Sequence, residues 1–189
     1  MTTGLSAFFD LFGGLPPAVL ADMTARFNSC RVQRGQLLLQ PGAVCRELLF
    51  VQSGCLRTYY LGASGQDISM WFSFPGYLSA ELTSFFTGQP SVYAVEALAA
   101  GEVLALPQAA LYELYAAHPS LHATMRQVWE YVIVNVIGRF TSLQHDTAEQ
   151  RYLALLQQPG YLGQIPQKHL ASYIGVTPSS LSRIRRRLS

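Results

Sequence analysis

The chain is poor in charge. Of 189 residues, 13 are Lys or Arg and 11 are Asp or Glu, while half are hydrophobic. That balance excludes a disordered, self-repelling chain and leaves ample apolar material for a core. Cysteine is scarce as well. Cys30, Cys45 and Cys55 are odd in number and form no CxxC pair. A disulfide framework is therefore not expected, and reduced thiols in a cytoplasmic protein are. Long apolar runs are missing: none approaches the roughly 18–20 residues needed to span a bilayer. The first residues, MTTGLSAFFDLFGG, hold Asp10 and no positive leader, so no secretory signal is expected. No GxSxG, P-loop or dinucleotide fingerprint occurs, no nucleophile–base arrangement is visible, and an enzyme is not indicated.

What is present divides the chain into three expected parts. Residues 1–118 form the first, opening with a helical stretch from Pro16 to Phe27, striped by Val19, Leu20, Met23 and Phe27. Short β-type runs then alternate with glycine turns: Leu37–Leu39, Leu48–Gln52, Leu56–Leu61, Ile68–Phe74, Val92–Leu98 and Val103–Leu106. Such spacing predicts an antiparallel barrel or jelly roll. A cupin enzyme would need metal-binding histidines on those strands. All four histidines, His118, His122, His145 and His169, come after them, so no metal is expected.

Residues 119–143 form the second part, a long helix opened by Pro119. Met125, Trp129, Val132, Val136 and Phe140 follow a near-heptad seam. Tyr131, Ile133, Val134 and Ile137 lie on other faces. A helix apolar nearly all round must be covered on two sides. The barrel on one side and a second copy of this helix on the other predict a parallel homodimer; the alternative is a helix buried inside a monomer.

Residues 144–189 form the third part. Asp146 to Glu149 has capping-box spacing and starts a helix through Tyr152, Leu155 and Leu156 that stops at Pro159-Gly160. The stretch IPQKHLASYIGVTPSSLSRIRRRLS, Ile165 to Ser189, follows the pattern of a helix-turn-helix. Leu170 and Ile174 make one apolar face, Ala171 permits close crossing, and Gly175 supplies a turn with positive φ. Thr177 is a natural N-cap and Pro178 suits the first helical position. Leu181, Ile184 and Leu188 can pack back on the first helix. The opposite face holds Ser179, Ser182, Arg183, Arg186 and Arg187. This tail carries Lys168 and four arginines and no acid, so it is +5 in a chain of +2, leaving −3 elsewhere. Segregated positive charge of this kind points to a polyanion, here double-stranded DNA.

The order of these parts, with FVQSGCLRTYY (Phe50–Tyr60), PGYLSAELTSFFTGQPSVYAVEAL (Pro75–Leu98) and the terminal helix-turn-helix, resembles the Crp/Fnr family of bacterial transcription regulators. The resemblance implies an α+β protein: a cyclic-nucleotide-binding-like jelly-roll sensor, a dimerisation helix, and a small helix-turn-helix domain lacking a full wing. It implies a small-molecule effector, with RNA polymerase as a further partner and no membrane. Glu81, Leu82, Ser91 and Val92 fall at the family's ligand positions. Ser91 stands where cyclic-nucleotide-binding members have the arginine that pairs with the phosphate, and Val92 where they have a serine. Loss of that charge-assisted pair argues against cyclic AMP in the usual mode, leaving the cofactor or effector unknown. Glu81 is expected instead to cap the helix that follows it. No cysteine cluster precedes Cys30, which disfavours an iron–sulfur sensor. The chain stops at Ser189, where many relatives continue, so fewer backbone contacts to DNA are expected. The recognition positions carry over to Pro178, Ser179 and Arg183. Arg183 is the candidate for a bidentate guanine contact. Lys168, Arg186 and Arg187 are the candidates for phosphates, with Thr177 and Ser182 beside them. The alternative is a sensor or interaction module whose helix-turn-helix packs on protein rather than DNA.

Overall fold

A computed structural model describes residues 2–157, 163 and 165–188. Two helices lead the chain, α1 (Thr2–Asp10) and α2 (Pro17–Arg26). Six strands and one short helix follow: β1 (Asn28–Val32), β2 (Leu37–Leu39), β3 (Glu47–Leu61), β4 (Asp67–Ser73), β5 (Leu78–Ser79), α3 (Leu82–Thr87) and β6 (Ala94–Pro107). Among the described residues, five helices close it: α4 (Gln108–Ala117), α5 (Ser120–His145), α6 (Ala148–Leu156), α7 (Gln167–Tyr173) and α8 (Pro178–Leu188). All strand pairings are antiparallel, in the order β1-β6-β3-β4, with β2 added on β6 and β5 on β3. The result is an α+β, jelly-roll-like architecture.

The sequence suggested two separate strands on either side of Gly54, and two more on either side of Gly101. Each pair is one long strand, β3 and β6, bent rather than broken at the glycine. The cause is a close crossing. A Cβ built on Gly101 would stand 2.2 Å from the Ser53 carbonyl oxygen, and Gly54 has φ +88°. Glycine here lets two backbones touch while the register shifts between Val51/Ser53 and Cys55/Leu56. α1, which the composition of the first residues did not reveal, inserts Leu5, Phe8 and Phe9 into the main core, with Phe12 from the turn that follows, and Phe8 meets Phe50 edge-on at 6.1 Å.

Two cores result. The main one joins α1, α2, the inner strand faces, α4 and the first turns of α5. Met125 belongs to it at 1% exposure, so its expected place in a dimer seam is corrected: it faces the barrel. The second core joins Cys55, Phe72 and Leu98 of the strands, and Phe74 just past β4, to Tyr152, Leu155, Ile165, Leu170, Ala171, Tyr173, Ile174, Leu181 and Ile184 of the C-terminal helices and the segments beside them. The capping box between α5 and α6 is shifted by one residue. Thr147 caps α6 with Gln150 as its partner, while Asp146 ends α5 and accepts from the Ser142 hydroxyl at 2.6 Å. A threonine hydroxyl can rotate onto the backbone N–H while Gln150 reaches back, which is the reciprocal geometry the motif requires. The expected stop at Pro159-Gly160 lies outside the described residues. Among the described residues no helix is long and apolar enough to cross a membrane.

Candidate functional site

α7 and α8 cross as a helix-turn-helix because small and apolar residues fall where they touch. Ala171, Leu170, Ile174 and Leu181 are fully buried. Gly175, at φ +76°, turns the chain between them, and the Val176 amide donates to the Ala171 carbonyl at 2.9 Å. Thr177 caps α8, its hydroxyl accepting from the Ser180 amide at 3.2 Å. Leu188 does not pack back as expected: it sits at the exposed end of α8.

The open face of α8 carries Ser179, Arg183, Arg186 and Arg187, all exposed, and Lys168 is exposed on α7. Arg183 donates to the Ser180 hydroxyl at 3.1 Å. Arg187 pairs with Glu149 at 2.9 Å across to α6. Arg183, Arg186 and Arg187 border a trough of about 660 Å³ floored by Ala148, Val176 and Ile184. Ser182 is corrected from its expected place on this face. Its hydroxyl accepts from Gln167 Nε2 at 2.6 Å and donates to the Pro178 carbonyl at 3.1 Å, which turns it towards α7. Arg185 also turns inward, bonding the Tyr152 hydroxyl at 3.1 Å.

The helix-turn-helix is docked on the strands. The Ser172 hydroxyl accepts from the Ser69 amide at 2.8 Å and donates to the Asp67 carbonyl at 3.3 Å. Tyr173 packs on Phe72 at 5.1 Å between ring centres, and the Arg139 guanidinium lies 3.5 Å over the Tyr173 ring. Behind Asp67 sits Arg57, wholly buried. It donates to both Asp67 carboxylate oxygens, at 2.9 and 3.3 Å, and to the Ser69 hydroxyl at 2.9 Å. Glu96 stands 3.7 Å away and the Tyr59 ring 4.4 Å away. Buried charge survives only when paired this fully. The Arg57 hydrogen bonds hold the Asp67 carboxyl below the usual carboxylate range. His169 on α7 is buried beside this cluster, its Nδ1 3.8 Å from Asp67 and without a hydrogen bond. Burial, and then the Arg57 charge, push its pKa down to about 4.

Nothing in the spacing of residues pointed to Arg57, Arg151 or Ser172. Arg151 donates to the Ile174 carbonyl at 2.8 Å and the Ser142 carbonyl at 3.2 Å, tying α5, α6 and the α7 turn together. Each is a polar residue whose partner lies far along the chain. A basic residue within a strand run, as at Arg57, was the only trace.

The expected ligand positions separate. Glu81 caps α3, its two carboxylate oxygens accepting from the Thr83 amide at 3.1 Å and the Ser84 amide at 2.9 Å. It borders a cleft of about 200 Å³ between β2, the Val44–Glu47 segment and Ala80. Leu82, Ser91 and Val92 do not line that cleft. Ser91 is buried and its hydroxyl is used by the Tyr93 backbone, accepting at 2.9 Å and donating at 3.2 Å. Val92 is 70% exposed on the outer surface, because the turn at Ser91 points it away from the barrel.

Past Val128, α5 leaves the main core. Trp129 is half-buried against Phe86, edge-on at 5.2 Å, and Val132 is half-buried beside it. Val136, Phe140, Ile133, Ile137 and Leu143 are exposed, Phe140 at 62%. At 100° per residue they form one continuous apolar stripe with Trp129 and Val132.

Residues 29–118 match the cyclic nucleotide-binding domain family. No curated protein matches the chain by sequence. Several solved structures share the fold. The c-di-GMP-responsive global regulator CLP of Xanthomonas campestris superposes with a TM-score of 0.69 at 15% identity, covering 92% of this chain and 91% of that one. FixK2 of Bradyrhizobium japonicum gives 0.72 at 17% identity, covering 86% and 84%. The catabolite activator protein of Thermus thermophilus gives 0.60 at 23% identity, covering 94% and 85%.

Proposed function

We propose that this chain is a DNA-binding transcription regulator of the Crp/Fnr type, working in the cytoplasm as a homodimer and not as an enzyme. The observation that carries the reading is the division of α8. Leu181 and Ile184 are buried in the second core beside α7, while Ser179, Arg183, Arg186 and Arg187 remain exposed on one side. A helix held rigidly with guanidiniums outward suits the major groove and its flanking phosphates. Arg183 reads a base; Lys168, Arg186 and Arg187 hold phosphates. The likeness to the regulators above supports the reading, and RNA polymerase is the partner such a regulator would contact.

The exposed stripe on α5 supports dimerisation. Trp129, Val132, Val136 and Phe140 are its centre, and a second copy of the same helix removes it from water. Two recognition helices must then meet the duplex one helical turn apart, about 34 Å. The route from sensor to DNA runs from the Glu81-capped α3, through Phe86 and Trp129, into α5. An effector that favours one placement of α3 favours one spacing of the recognition helices. Ser91, in the place of the family's arginine, speaks against cyclic AMP as that effector.

The test is salt-dependent duplex binding with sedimentation on the same protein. The reading expects a dimer whose log affinity falls linearly with log salt, with a slope of about −0.9 per phosphate neutralised. A monomer with no affinity for duplex at low ionic strength refutes it and favours an interaction module.

A further inference from the structure

The cleft beside Glu81 has a chemistry of its own. Leu38, Leu39, Val44, Leu49, Ala80 and Val95 form its walls. Its buried polar groups are already engaged, while Arg46 and Glu47 stand exposed at its edge. Both Glu81 oxygens accept backbone amides, the Cys45 amide donates to the Ser84 hydroxyl at 2.9 Å, and the Cys45 thiol lies 3.6 Å from the Glu47 carbonyl. Charge at the cleft is one guanidinium, Arg46, against two carboxylates, Glu47 and Glu81. An anion entering here meets net repulsion. Its volume, about 200 Å³, lies below the roughly 300–1,000 Å³ of sites that enclose drug-sized ligands. It lies close to the scale of an apolar cavity, about 150 Å³, that accepts benzene in another protein.

We infer that this cleft takes a small, uncharged, mainly apolar molecule of single-ring or short-chain size, and not a nucleotide. The inference rests on the sensor half of the proposed function and names the ligand class for it. An occupant would touch at once the Cys45 segment and the residues around the α3 cap. Those two are joined by the Cys45–Ser84 hydrogen bond, and α3 reaches α5 through Phe86. Apolar contact with walls, rather than new hydrogen bonds, supplies the affinity.

Toluene is the probe, with cyclic AMP as the comparison. Cys45 is the reporter because it lines the cleft, whereas Cys30 is exposed on β1 and Cys55 is buried in the second core. Toluene at ten times its Kd is expected to raise Tm and to slow modification of Cys45 by methyl methanethiosulfonate about tenfold, leaving Cys30 unchanged. If Cys45 proves inert, the Tm shift decides alone. Ala80→Leu fills the cleft and is expected to abolish the response; Leu38→Phe, at a half-buried position, does the same should the first variant fold poorly. No Tm shift with toluene, a response that survives both variants, or protection by cyclic AMP overturns the inference. Duplex binding by the same samples separates the two readings. Cys45 protection without DNA affinity removes the regulator, and DNA affinity without a toluene response removes the ligand class.

Discussion

The Ser172 hydroxyl and the Ser69 amide meet at 2.8 Å across the boundary between the helix-turn-helix and the strands. Ser172 belongs to α7, the first of the two crossed C-terminal helices, and Ser69 to β4, the strand that carries Asp67 at its start. The C-terminal helices are therefore held on the strands directly, as well as through the long helix. Ser172→Ala leaves the Ser69 N–H without its partner and is expected to cost about 1–2 kcal/mol. Hydrogen exchange at the Ser69 amide should accelerate by more than at amides of the main core. Uniform acceleration throughout the chain would contradict this.

Arg57 is the charge behind that contact. Arg57→Met keeps the stem but strands Asp67 beside Glu96. Breaking a buried pair from one side typically costs about 3–5 kcal/mol; Asp67 is partly solvated, which places the expected loss near the lower figure. Urea denaturation measures it. A loss under about 1 kcal/mol would mean the cluster is held by its apolar surroundings alone.

His169 makes the interface acid-sensitive. Its pKa is about 4 in the fold and about 6.5 in the unfolded chain. Between those values the unfolded state binds the proton and the folded state does not, so folding weakens as pH falls. The contribution is complete above about pH 6.5 and is lost as pH drops towards 4, by on the order of 2 kcal/mol. Asp67, held low by Arg57, acts in the same direction at still lower pH. His169→Gln is expected to flatten the stability profile between pH 6.5 and 4. A profile identical to that of the unaltered protein would show the loss arises elsewhere.

The proposed function gives Arg183 and Arg187 different tasks. Arg183→Ala is expected to cost about 1–3 kcal/mol on a specific site and to relax preference at one base pair. Arg187→Ala is expected to weaken all duplexes alike and reduce the salt slope by about one phosphate's worth. Equal losses on specific and random duplex for Arg183→Ala would remove its base-reading role.

Phe140 stands at the centre of the α5 stripe. Phe140→Glu places two like charges face to face in the proposed dimer and should shift sedimentation to the monomer. Because Phe140 is exposed within one chain, the melting of the monomer should not fall. An unchanged dimer would place the interface on another surface.

The helices and turns of the C-terminal motif were legible because they depend on neighbours. Gly175 needs only its own φ, Thr177 only the amide three residues on, and Leu181 and Ile184 only helical spacing. The runs found four of the strands, β2, β3, β4 and β6, and missed β1 and the two-residue β5; continuity was missed as well, since Gly54 and Gly101 act as turn signals unless the other strand is known to cross there. Glu81 as a cap was legible from its place before α3. Met125 and Ser182 were misplaced because periodicity finds a face and does not say which neighbour covers it. Arg57, Arg151 and Ser172 were not legible at all, because their partners lie in other elements and long-range pairing leaves no local pattern.

Tyr173 against Phe72 sets a rule for exchanging parts among proteins of this shape. The C-terminal helices cannot be lifted out as a cassette: freed of the strands, Tyr173 and its neighbours would meet water. Transplanted onto another jelly roll, they would need a host whose outer strand offers an aromatic ring at the place of Phe72 and a free amide for Ser172. Chimaeras joined at the long helix alone would inherit the exposed arginines of α8 and lose the seat that aims them.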